Sequence, residues 1–182
     1  MDKIKEELEI TFKNNPNRLK HIYGVRDLAV YLGEKYGCDP YKCEVAALLH
    51  DIHKNLSYEK QLEFLSQEEI DSMQTKVLAH AYSASNYIKN KYDFLEEDVI
   101  IAVRSHVYGN MNMSLLDKII LLSDFCEENR TYDYCLKTRK VLLDGDFDKA
   151  LKMTLSLTIK SLLERGQTPT DEQININRKY GE

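Results

Sequence analysis

The sequence predicts an all-α protein: a single-domain, multi-helix bundle over residues 1–182, with room for a helical extension at the C-terminal end. Three observations carry this. Apolar side chains recur at three- and four-residue spacing in nearly every segment. No two alternating stretches flank a hairpin turn. The 182 residues, 43% of them apolar, can build one core without staples. The chain has no internal repeat and no long linker.

Taken in order, Ile4, Leu8 and Phe12 share one face of a first helix, and the turn Asn14-Asn15-Pro16-Asn17 ends it. A second helix is expected over residues 18–36, with Leu19, Ile22, Tyr23, Leu28, Ala29 and Leu32 turned inward and Gly37 as its stop. Pro40 can open a third, because the first helical position needs no N–H. Val45, Ala46, Leu48 and Leu49 make this helix short and strongly apolar, so it should cross the core and deliver His50-Asp51. Ser57 caps a helix over residues 58–65. A longer helical run follows through Met73, Val77, Ala81, Ala84 and Ile88.

Residues 93–96 separate that run from a helix over residues 97–107, and Tyr108-Gly109-Asn110 is a turn. Ser114 and Asp117 form a capping box for a helix that carries Leu115, Leu116, Ile119, Ile120 and Leu122 to Asp124. Helices over residues 132–143 and 147–164 are divided by Asp144-Gly145-Asp146, with Asp146 capping the second. Gly166 and Pro169 end it. Residues 170–180 make a short final helix, with Thr170 and Gln173 as its capping pair.

Composition narrows the function. With 25 basic and 30 acidic side chains the formal charge is -5, which argues against nucleic acid or a membrane surface as partner. No apolar run approaches the ~18 residues of a membrane span, and the first twelve residues do not read as a targeting segment. A cytoplasmic location is the expectation, with Cys38, Cys43, Cys126 and Cys135 as reduced thiols, since none forms a Cys-x-x-Cys pair. The pattern leaves a homodimer open.

The chemistry is concentrated in five histidines, at 21, 50, 53, 80 and 106, and a few aspartates. His50-Asp51 ends an apolar stretch, His80 follows Val77-Leu78-Ala79, His106 follows residues 100–103, and Asp124 closes residues 119–123. A carboxylate in such a setting is costly unless paired or bound to metal. Neutral imidazole is a common ligand for divalent metals, and helix bundles build such sites from side chains on separate helices. The alternative is a set of independent core histidines and helix-cap aspartates. Spacing alone does not separate the two.

The ordered set His21, His50-Asp51, Asp124 resembles the signature of the HD-domain phosphohydrolases, named for their adjacent His-Asp pair. The similarity runs over roughly residues 12–170 and is greatest to the YqeK-like branch, bacterial symmetrical dinucleoside tetraphosphate hydrolases. It is carried by Arg18-Leu19-Lys20-His21 with Gly24-Val25, by residues 46–51 with Lys54, by His80, by Arg104-Ser105-His106, by residues 113–130, and by Gly166-Gln167. The chain departs from the branch at Ile52-His53, at Val107-Tyr108-Gly109 and at Glu128, where proline is common.

The resemblance implies that His21, His50, Asp51 and Asp124 bind one metal and His80 and His106 a second, with Asp51 bridging. It implies one or two iron ions, with manganese, cobalt or magnesium as alternatives. It also implies symmetrical hydrolysis of diadenosine tetraphosphate to two ADP by metal-activated water, a dinucleoside polyphosphate or other nucleotide being the ligand. Lys54 is the first phosphate contact, and Arg130 the second, because a guanidinium can hold two phosphate oxygens. Asp51, Lys54 and Arg130 are thus the catalytic candidates. Arg18, His53 and Asn129 join Lys54 and Arg130 as substrate contacts, His53 because three-residue spacing would put it on the side of His50. Glu127 is expected to orient Arg130 or a metal-bound water. The competing readings are another nucleotide phosphohydrolase and a catalytically weak nucleotide sensor.

Overall fold

The computed structural model describes residues 1–73 and 75–181. Among them the chain forms α-helices and one short 3₁₀ turn, with no strand. In order these are α1 (Asp2–Phe12), α2 (Pro16–Tyr36), α3 (Pro40–Leu49), α4 (Tyr58–Leu62), α5 (Gln67–Ser72), the 3₁₀ turn Lys76–Leu78, α6 (Ala79–Lys91), α7 (Glu97–Ser105), α8 (Leu115–Cys126), α9 (Asp133–Leu143), α10 (Phe147–Glu164) and α11 (Asp171–Tyr180).

Helix α3 is the centre of the bundle. Its first turn is exposed at Pro40 and Tyr41, but Cys43 and every residue from Val45 to Leu49 are buried, so its second half has no solvent face and is apolar all round. It packs on α2, α7 and α8, and α1 closes over α2 and α3. Helix α8 likewise buries Leu116, Ile119, Ile120, Leu121 and Leu122. Helix α6 packs on α7, α9 and α10 pack on α8 and on each other, and α11 packs on α10. Each fully buried leucine or isoleucine in this core contributes roughly 1.5–3 kcal/mol. That burial, with the local caps, sets where each helix starts and stops, and so where its polar ends meet.

The caps follow side-chain chemistry. Asp39, Ser57 and Asp146 each accept a backbone N–H at the start of the following helix. Ser114 with Asp117, and Thr170 with Gln173, form complete capping boxes. Gly37 ends α2 at φ 79°, a left-handed conformation that other residues rarely adopt, and its N–H bonds Gly33 O at 2.9 Å.

Several boundaries differ from expectation; α7, expected to reach 107, ends at Ser105 with His106 as its cap. Helix α2 begins at Pro16, inside the expected turn, because Asn15 caps it through Arg18 N. Helix α4 stops at Leu62, and a capping box of Ser66 and Glu69 starts α5. The long run expected through Met73 to Ile88 is broken. Met73 and Thr75 are extended, and the Thr75 hydroxyl caps the 3₁₀ turn instead. Val77, read as an inward residue, is 40% exposed. The part of that run at Gln74 lies outside the described residues. Finally, α3 ends at Leu49, so residues 51–55 are turns and not a further helical turn.

None of the described helices is long and apolar enough to cross a membrane. All four cysteines are unbridged, three buried and Cys38 half-buried.

Candidate metal centre

The bundle brings polar residues together at helix ends. His50 caps the C-terminus of α3 and Asp51 follows it; His106 caps the C-terminus of α7; Asp124 lies in the last turn of α8. His21 comes from the second turn of α2 and His80 from the start of α6. Helix C-termini carry partial negative charge and favour a cation nearby.

Asp51 stands in the middle, and its two oxygens face different partners. Oδ2 lies 3.5 Å from His50 Nε2 and 3.8 Å from His21 Nε2. Oδ1 lies 3.3 Å from His80 Nε2 and 3.6 Å from His106 Nε2. Asp124 Oδ1 is 3.1 Å from His21 Nε2 and 4.0 Å from His50 Nε2. The Nε2 atoms of His80 and His106 are 3.2 Å apart. Two donor triads, His21-His50-Asp124 and His50-Asp51-His106, each have their ligand atoms within 4.8 Å of one another.

Buried ligand atoms without hydrogen bonds need a partner. His21 Nε2, His50 Nε2 and Asp51 Oδ1 are buried and have no hydrogen bond, although charged or ring atoms lie close. An unsatisfied buried polar atom costs about 1–3 kcal/mol. The N/O donor set fits divalent cations, which would satisfy His21 Nε2 and His50 Nε2 on one side and Asp51 Oδ1 on the other.

The opposite ring edges are tied down. Nδ1 of His50 donates to Ala47 O at 2.6 Å, and Nδ1 of His106 to Val103 O at 2.7 Å. Nδ1 of His21 meets Glu127 Oε1 at 3.1 Å. Such bonds fix the tautomer and leave Nε2 as the free donor pair. Electrostatics agree. Burial pushes the His50 imidazole down, and pushes His80 down to about 4 with help from His106 and Lys54. Burial opposes ionisation of Asp51, but His50, His106 and His80 more than reverse it and hold the carboxyl well below its usual range. Asp124 is likewise held down, against burial, by His21 and Arg130. Burial lowers His21, while Asp124 and Glu127 carry it upward overall.

Cationic side chains ring the cluster. Arg18 Nη1 lies 2.6 Å from Asp51 Oδ2. Arg130 donates from Nη2 to Asp124 Oδ1 at 2.8 Å and from Nε to Asp124 O at 3.0 Å. Lys54 Nζ is 3.0 Å from His80 Nε2 and 3.9 Å from Asp51 Oδ1. It reaches the centre through the turn after α3, not along a helix.

Three placements depart from expectation. His53 is not gathered into the cluster. Because α3 stops at Leu49, its ring lies instead against Phe64 and Tyr87, at 4.4 and 4.7 Å, where burial pushes it down to about 4. Glu127 braces His21 and not Arg130, whose partner is Asp124. Asn129 serves Glu127: its backbone N–H and Nδ2 reach Glu127 Oε2 at 2.6 and 2.8 Å.

Arg139 was not singled out by any motif. It donates to the carbonyls of Cys126 at 2.5 Å, of Arg130 at 2.8 Å, and of Glu127. It thereby holds the segment that carries Glu127 and Arg130. A charge on α9 within reach of the carbonyl end of α8 is the only trace of this in the sequence.

Comparison with known proteins agrees with this geometry. The model of the HD domain matches residues 18–129. The symmetrical bis(5′-nucleosyl)-tetraphosphatase of Halalkalibacterium halodurans is 36% identical over 155 residues, covering 83% of this chain and 82% of that one. Its Bacillus subtilis counterpart, of the same description, is 29% identical over 154 residues, with the same coverage of both chains. The crystal structure of a Clostridium acetobutylicum protein, described as a predicted HD superfamily hydrolase involved in NAD metabolism, superposes with a TM-score of 0.85 at 33% identity. It covers 97% of this chain and 94% of that one. With its His-Asp pair at the junction of the donor triads, the chain belongs to the HD-domain family of metal-dependent phosphohydrolases.

Proposed function

We propose that the protein hydrolyses dinucleoside tetraphosphates symmetrically, converting diadenosine tetraphosphate and water to two ADP. The observation that carries this is the position of Asp51. One carboxylate has an oxygen toward His21 and His50 and another toward His80 and His106, with Arg18 and Lys54 beside it. That arrangement suits phosphoryl transfer, where the negative charge of a polyphosphate must be offset by cationic groups. The substrate class is supported by the relatives described as symmetrical bis(5′-nucleosyl)-tetraphosphatases.

His21, His50, Asp51 and Asp124 would hold one ion, and His80 and His106, with Asp51 shared, a second. The donors suit iron as well as manganese, cobalt or magnesium, and the resemblance favours iron. A divalent metal bound there supplies activation of water and polarisation of a phosphoryl oxygen.

The chain's own residues do the rest. Asp51 and Asp124 stay ionised and fix the charge of the pocket. Glu127, Ala47 O and Val103 O keep three imidazoles aimed inward. Arg130, Lys54 and Arg18 supply positive charge beside the phosphates, Arg130 as a fork and Lys54 as a point charge. The bond that breaks joins the second and third phosphorus atoms through their bridging oxygen, so one ADP leaves and the other gains the hydroxyl of water. The test is product analysis on metal-loaded protein with diadenosine tetraphosphate. ADP as sole product is expected; ATP with AMP overturns the symmetry.

A further inference from the structure

We infer that Tyr132 is the stacking platform for one nucleobase of the substrate, at the outer end of a cleft that opens from the metal centre. The inference rests on the nucleotide reading above. A cleft of about 680 Å³ lies between the start of α2 and the segment after α8. His21, Arg18 and Arg130 line it, and the same three side chains contact Asp51 or Asp124. The cleft is therefore continuous with the metal ligands. Lys20, Asn129, Glu127 and Glu128 add polar wall, and Tyr132 also lines it.

Tyr132 is poorly explained by folding alone. It is 61% exposed, the most exposed aromatic ring among the described residues. It occupies the N-cap of α9, where Ser, Thr, Asp or Asn would accept a backbone N–H, and it makes no such bond. Its ring is nonetheless held. Tyr134 lies parallel to it, centroids 5.4 Å apart and planes within 1°, and Tyr134 in turn leans on Phe125 at 5.8 Å. An offset stack of this kind supports the ring from one side and leaves the other open. Tyr132 is two residues beyond Arg130, a chain distance of at most about 7 Å. A cation beside the phosphates and an open π-face one short step outward match one half of a dinucleotide, phosphate end inward and base outward. Stacking of this type tolerates any base.

The chain contains no tryptophan, so Tyr132→Trp creates a sole indole at this position. In the full-length, metal-loaded variant, ADP is expected to quench indole emission with saturation. Pyrophosphate, which has phosphates and no base, is expected to leave emission unquenched. In parallel, Tyr132→Ala should raise KM for diadenosine tetraphosphate about tenfold or more, with the effect on KM and not kcat, while Tyr132→Phe keeps the wild-type KM. Absence of ADP-dependent quenching, or equal quenching by pyrophosphate, overturns the inference, as does an unchanged KM in Tyr132→Ala. Failure of the substrate reading shows separately, as absence of ADP release by the wild-type protein.

Discussion

Glu127 Oε1 lies 3.1 Å from Nδ1 of His21, on the ring edge opposite the one that faces Asp124. The carboxylate is buried, and burial alone would raise its pKa. His21 and Asn129 outweigh burial and hold it below its ordinary value. An ionised Glu127 makes the His21 Nε2 a better donor and keeps the ring from turning. Glu127→Ala is therefore expected to weaken metal binding about 10- to 100-fold. Glu127→Gln, which can still accept from Nδ1, should recover much of that loss. Competition titration with a metal indicator reads both, and equal affinity in Glu127→Ala and wild type would reject the role.

Gly24 predicts a second route to the same defect. It lies one turn after His21 on α2. A methyl group there would collide with Glu127 Oε2 and come within 2.9 Å of Asn129 Nδ2. Helix propensity alone favours alanine over glycine by about 1 kcal/mol. Overpacking costs typically 1–3 kcal/mol. Gly24→Ala should thus lower stability, not raise it, and lower metal affinity with it. A denaturant titration showing a more stable Gly24→Ala protein would mean that Glu127 yields without consequence.

Most helices were legible because their signals are local. The spacing of Ile4, Leu8 and Phe12, the apolar run before His50, and the caps at Ser57, Ser114, Asp146 and Thr170 each act within a few residues. The Met73–Ile88 stretch was misread because Val77 continues an apolar rhythm that nothing buries, while Thr75 caps a new turn. In the site, the residue types to be gathered could be proposed from an ordered His and Asp pattern. Their contacts could not. The distance from Glu127 to His21 spans 106 positions of sequence, and that from Arg18 to Asp51 spans 33. His53 was misplaced for a related reason: the end of α3 at Leu49 turns it away from His50 toward Phe64.

Half-buried Arg139 on α9 should matter for stability. Three carbonyls at and after the end of α8 accept from its guanidinium, that of Glu127 also from Arg130 N. Helix-terminal carbonyls have no partner within their own helix. Lysine offers the same charge without the planar fork. Arg139→Lys is expected to cost about 2 kcal/mol, on the scale of hydrogen bonds to charged groups, and to loosen the segment that carries Glu127. Guanidinium unfolding together with hydrogen exchange on residues 127–131 measures both. Wild-type stability with wild-type protection would refute it.

A pH-dependent tie links α1 to α6. Glu7 accepts from the Tyr87 and Tyr92 hydroxyls and from Lys91 Nζ, the last at 2.5 Å. Burial opposes its ionisation, but Lys91 and the two tyrosines outweigh burial and hold the carboxyl below its ordinary 4.5. A carboxyl lowered on folding contributes stability above its unfolded pKa and loses it as pH falls through the folded one. The stability gap between wild type and Glu7→Gln should therefore be open at neutral pH and close as pH falls below the ordinary 4.5 and through the lowered folded value. Urea midpoints measured across that range test it, and a gap independent of pH would show that the carboxylate charge is not what holds the tie.

Metal binding should appear in stability as well as in turnover. A ligand that binds only the folded state adds RT ln(1 + [L]/Kd), about 2.7 kcal/mol at a hundredfold excess over Kd. Wild-type protein should thus melt at a higher temperature with divalent metal than with chelator. In Asp51→Asn the side chain keeps its size and loses its charge. Both oxygen-facing sides of the site are then weakened at once, because Oδ2 serves the His21 and His50 side and Oδ1 the His80 and His106 side. The same substitution removes the charge that pairs with Arg18, so the variant should be less stable even in chelator. The separable signature is the metal-dependent part: the shift between chelated and metal-loaded samples should vanish in Asp51→Asn, together with bound metal and hydrolysis. A full metal-dependent shift in that variant, read by calorimetry alongside metal content, would show that the cation is held elsewhere.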